Sequence, residues 1–148
     1  MEVINMNKKA ELFQKYLDER QIKAFQVQEL KDAGQDTVIF NSRIAVDGQE
    51  LPTLLITDNS IYSLIRVRVA NAAMKEGNET ELRKAIDQLN SRFKVFKYYF
   101  IDDGALILDV AIVSKPDEIN GDMVYTLFDV IIKHLQEEYK NLMKTIWA

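Results

Sequence analysis

Asp47-Gly48 sits between two segments in which apolar and polar residues alternate, "DTVIFNSRIAV" (36–46) and "QELPTLLIT" (49–57). A two-residue type I′ turn needs positive φ at both positions, and Asp-Gly is one of the few pairs that tolerates this. The pair therefore sets a hairpin and its register. Ile44 falls opposite Leu51 and Phe40 opposite Leu55, so Val38, Phe40, Ile44 and Val46 share a face with their partners' apolar residues. A slip of one residue would turn all of them to water. Whatever this chain folds into must contain that antiparallel pair and must cover its apolar face.

The remaining segments arrange themselves around the hairpin. Residues 7–22, "NKKAELFQKYLDERQI", read as a helix with Ala10, Phe13, Tyr16 and Leu17 as its apolar stripe and charges opposite. Residues 24–30 read as a short strand with Phe25 and Val27 on one face, and Gly34 ends it. After the turn residues 58–60, "IYSLIRVRV" (61–69) points Ile61, Ile65, Val67 and Val69 one way and Arg66 and Arg68 the other. Asn78, with Glu81 three residues on, resembles a capping box for a helix over 78–93 carrying Leu82, Ala85, Ile86, Leu89 and Phe93. Residues 121–147 keep Val124, Leu127, Phe128, Ile131, Leu135, Tyr139, Leu142 and Ile146 on one stripe. At 1.5 Å per residue that helix is roughly 40 Å long, enough to cross a sheet. The expected order is α-β-β-β-β-α-β-β-α. Short strand connections predict a mainly antiparallel sheet of five to six strands with three helices, an α+β fold in one domain spanning 1–148.

A second Asp-Gly pair lies in "KYYFIDDGALILD" (97–109), beside another carboxylate, Asp102. Read as a two-residue turn, Asp103-Gly104 pairs Ile101 with Leu106, Tyr99 with Leu108 and Val95 with Ile112, which makes one face almost wholly apolar. Asp103 is then a turn residue and Asp102 its neighbour at a hairpin tip. Catalytic carboxylates need facing oxygens in a partly desolvated cleft, so neither is expected to be catalytic. The second face then carries Phe96, Tyr98, Phe100 and Ile107, with Asp109 opposite Tyr98. Antiparallel sheets ordinarily leave one face wet, so this face needs a cover. Phe96, Tyr98, Phe100 and Ile107 are the expected partner or homodimer surface, covered by a second copy of the chain or in part by the 78–93 helix.

Composition narrows the chemistry. The chain has no Cys, which removes disulfides, thiolate nucleophiles and cysteine metal sites. His134 is the only histidine; Glu137 and Glu138 follow one turn later, but no second His supplies a zinc motif, and a solvent-facing His is expected. No G-x-S-x-G elbow, G-x-G-x-x-G or P-loop occurs. Catalytic residues, metal and cofactor are therefore all expected to be absent. The net charge of −4 and pI near 5.1 speak against nucleic acid and against an anionic membrane. The first residues lack an apolar core of signal-peptide length, and no apolar run approaches the about 20 residues of a membrane span, so a cytoplasmic protein is expected. Arg43, Arg66 and Arg68, with Lys97, are candidate contacts for an acidic partner, a peptide or a phosphate, against a plain solvated face balanced by Glu50 and Asp109.

"LNSRFKVFKYYFIDDGALILDVAIVSKPDE" (89–118) resembles the YbjN-like bacterial domains, in which a Leu-Asn pair ends a helix before an aromatic-bearing strand, a D-G turn and an apolar strand. Leu89, Asn90, Phe93, Asp103, Gly104, Leu106 and Leu108 carry the match, and the 121–147 helix completes it. The resemblance implies a fold like that of type III secretion chaperones and a non-enzymatic binding module, often dimeric.

Two functions are thus in view. One is a protein-interaction module, chaperone- or adaptor-like. The other is a small-molecule-binding or enzymatic domain with its pocket between sheet and helices.

Overall fold

The computed structural model describes residues 6–30 and 34–148; residues 1–5, read above for a leader, and 31–33 lie outside that set. Helix α1 (Lys8–Glu19) is followed by strands β1 (Gln26–Leu30), β2 (Thr37–Val46), β3 (Gln49–Thr57) and β4 (Tyr62–Ala70). Helix α2 (Glu79–Arg92), strands β5 (Phe96–Phe100) and β6 (Leu106–Val113), and helix α3 (Gly121–Trp147) complete the chain. The element order is the expected one. All strand pairs are antiparallel, in the order β1-β2-β3-β4-β6-β5.

The β2–β3 hairpin has the expected register, Ile44 on Leu51 and Phe40 on Leu55. Asp47 and Gly48 both have positive φ, 49° and 77°, as the turn requires. α1 begins where Asn7 Oδ1 accepts from the Ala10 N–H at 2.8 Å. The same amide donates to Asp36 O and Thr57 Oγ1, so the cap that starts the helix also pins it to the sheet. α2 starts differently from expectation. Asn78 is itself in the helical region and caps nothing with its side chain. Its carboxamide accepts from Lys75 N and donates to Ala73 O and Ile146 O, tying the preceding loop to the end of α3.

The β5–β6 hairpin departs by one residue. Phe100 pairs with Leu106, Tyr98 with Leu108 and Phe96 with Val110. The loop is closed by Ile101 N–H on Ala105 O and Gly104 N–H on Ile101 O, with Gly104 at φ 81°. Asp103 is not at positive φ; its carboxylate accepts from Ala105 N. This is a three-residue loop with glycine at its left-handed position, rather than a two-residue turn. Because side chains alternate with a period of two, the shift reassigns every β5 residue relative to β6.

All three helices lie on the same face of the sheet. Phe13 of α1 meets Phe40 edge-on at 5.0 Å, Phe93 at the end of α2 packs on Phe96, and His134 of α3 stacks on Phe96. Val38, Phe40, Leu55, Ile65, Val67, Leu108 and Val110 form the sheet's side of the core, and Leu82, Ile86, Leu89, Ile131, Leu135 and Leu142 the helices' side. α2 therefore does not cover the second face. It guards an edge: the Asn90 carboxamide accepts from Tyr98 N and donates to Tyr98 O, occupying both backbone groups on the outer side of β5. A capped edge cannot recruit another strand at that point.

Candidate functional site

The face turned away from the helices has no cover within the described residues. Its composition follows from the alternation. Across the strands run Lys97, Asp109, Arg66, Leu54 and Asn41 in one row, and Ala111, Leu64, Ile56 and Ile39 in the next. Val113 pairs with Tyr62, both largely exposed. A wet sheet face ordinarily reads polar at these positions; here Ile39, Leu54, Ile56, Leu64, Tyr62 and Val113 occupy them. With strands about 4.8 Å apart and about 3.3 Å per residue, the face covers roughly 700 Å².

Toward the β5–β6 tip this face carries a hollow of ≈ 310 Å³, with Pro52, Leu54, Ile101 and Ile107 as apolar lining and Arg66, Arg68 and Tyr99 as polar lining. Asp109 lies beside it, 5% exposed. Arg66 donates to both its oxygens, from Nε at 2.8 Å and Nη2 at 3.0 Å, and the Tyr99 hydroxyl donates to Oδ2 at 2.7 Å. Burial, and then the bond to Asp109, pushes the Tyr99 hydroxyl up to about 12. The same carboxylate holds the Arg66 guanidinium above its ordinary range. Arg68 donates to Asp103 at 2.7 Å and to Asn71 at 2.5 Å. The backbone N–H of Ala105, and then Arg68, lower the Asp103 carboxyl. The expected balancing of Arg66 by Asp109 is thus a bidentate pair. Arg43 is exposed on β2, and no carboxylate of the described residues bridges it or Lys97.

The other nominated residues separate. Phe96, Tyr98 and Phe100 point into the core, with Tyr98 2% exposed, while Ile107 points to the opposite face beside Tyr99. They do not form one surface; the register shift is the reason. His134, expected in solvent, is 5% exposed. Its Nε2 lies 2.6 Å from the Tyr98 hydroxyl, and its ring stacks on Phe96 at 4.1 Å with Phe93 edge-on at 4.5 Å. Burial, and then Arg92, push it down to about 4. Asp102 is exposed at the hairpin tip, while Asp103 is engaged as described.

Lys9 is a buried charge that the sequence pattern does not single out. It is fully buried, and Nζ donates to Ser60 O, Tyr62 O and Ser63 Oγ at 2.7–2.9 Å. Its place four residues before Phe13, on the apolar stripe, was the available signal. Among the described residues no helix is long and apolar enough to cross a membrane, and no group of three or more His, Asp or Glu could hold a metal ion.

Compared with known proteins, the chain matches no family model and no curated protein.

Proposed function

We propose that the chain is a non-enzymatic protein-interaction module, adaptor- or chaperone-like, working in the cytoplasm through the open face of its sheet. The observation that carries this is the run of Ile39, Ile56, Leu64 and Leu54 at positions where a solvated sheet would be polar. The footprint of the whole sheet, about 700 Å², leaves room for an interface approaching the standard size, which buries roughly 800 Å² a side. The hallmark ionisable groups support binding rather than chemistry. Asp109 is saturated by Arg66 and Tyr99, and His134 is closed beneath two aromatic rings. The YbjN-like resemblance of residues 89–118 points the same way.

Affinity capture from native lysate with the wild type and two variants tests this. Leu64→Glu alters the open face, and Val130→Glu alters an exposed site on α3. The reading expects discrete partners lost only with Leu64→Glu, at unchanged circular dichroism. Capture unaffected by Leu64→Glu contradicts it.

A second reading has one observation in its favour. The hollow between Arg66, Arg68 and Tyr99 lies at the lower end of small-molecule pocket volumes, which run from about 300 Å³. It lies on the open face, not between sheet and helices.

A further inference from the structure

The open face differs in charge from the molecule that bears it. Its side chains include Arg43, Arg66, Arg68 and Lys97 against Glu50, Asp109 and the Asp103 that bridges Arg68, a formal excess of one positive charge on a chain whose net charge is −4. The two central arginines are engaged with Asp109 and Asp103. Arg43 and Lys97 are exposed and unbridged among the described residues. They stand on β2 and β5, four strand spacings apart, so about 19 Å separates them across the sheet. Between them lie Pro52, Leu54, Ile107 and the hollow.

Resting on the interaction reading above, we infer that the open face takes an acidic, apolar segment of another protein, its carboxylates meeting Arg43 and Lys97 and its apolar side chains entering the hollow over Pro52, Leu54 and Ile101. Charge complementarity selects this occupant. A second copy laid face to face would set the two unbridged cations against two more, on two chains that already repel. An acidic partner gains attraction at both flanks and buries the apolar strip between them. The inner arginines hold their shape through Asp109 and Asp103, so the hollow is formed before a partner arrives.

The probe is a displayed library of random 16-residue peptides, selected on the full chain. Enriched peptides are expected to combine Asp or Glu near both ends with large apolar residues between. A synthesised winner is expected to lose at least tenfold in affinity on the double variant Arg43→Glu, Lys97→Glu, and to regain it when its own carboxylates are exchanged for lysine. Both positions are exposed, so the variant keeps its fold; circular dichroism checks this. Neutral or basic winners that still fail on Leu64→Glu overturn the acidic class and leave the interaction reading standing. Winners indifferent to Leu64→Glu, or no enrichment at all, overturn both. A wild-type dimer in light scattering that Leu64→Glu dissociates makes a second copy the occupant and overturns this inference.

Discussion

Acid should unfold this protein partly through one residue, His134. Its imidazole lies among Phe93, Phe96 and Tyr98, with Arg92 and Glu138 the nearby charges, and its Nδ1 is buried with no hydrogen-bond partner among the described residues. Protonation would make both ring nitrogens donors, with no acceptor at Nδ1 among the described residues, and would put a charge in a dry site. The folded value is about 4, against 6.5 for the free side chain. Between those values the unfolded chain binds the proton and the folded chain does not, so stability rises with pH in that window. His134 therefore contributes fully above pH 6.5, and its contribution is lost as pH falls toward 4. Binding arithmetic with these two values gives a loss of about 2 kcal/mol between pH 7 and pH 4.5. Urea denaturation of wild type and His134→Phe at both pH values isolates this from the titration of carboxylates. The wild type should lose about 2 kcal/mol more than the variant. Parallel losses in the two proteins would refute the reasoning.

Tyr98→Glu places a carboxylate at a 2% exposed site against Leu108 and His134, and should cost about 4 kcal/mol or more, read as loss of the folded signal in circular dichroism. Gly121→Ala would drive a Cβ into the Tyr16 ring where α3 meets α1; calorimetry should show a destabilisation of roughly 1–3 kcal/mol. Asn90→Ala removes both bonds to the Tyr98 backbone, costing about 1 kcal/mol in urea titration, and frees the β5 edge for concentration-dependent self-association in light scattering.

The β2–β3 hairpin was legible to the residue because Asp47-Gly48 and the alternation on both sides agree on one register. The stripe of α3 was legible for the same reason: one period held over 27 residues. The β5–β6 hairpin misled because β5 and β6 are apolar on both faces, so hydrophobic pattern could not choose between registers one residue apart. The choice fell to the loop, where Asp103 accepts from Ala105 N and leaves only Gly104 at positive φ. The one-residue shift turns Phe96, Tyr98 and Phe100 to the core, opposite to the face that a two-residue turn predicts for them. His134 shows the same limit: Glu137 and Glu138 beside it suggest water, while Phe93 and Phe96, distant in sequence, enclose it. The pairing of Arg66 with Asp109 depends on β4 lying beside β6, an adjacency that α2 and β5 separate in the chain.

That the open sheet face is where this protein meets its partner can be tested in cells with a photo-crosslinking amino acid at Tyr62 or at Val130. Tyr62 is 57% exposed on the open face, and Val130 is 39% exposed on α3. The account predicts a discrete heavier adduct on irradiation from position 62, absent from position 130 and suppressed by Leu64→Glu. Adducts from position 130 alone, or the same adducts from both, would contradict it.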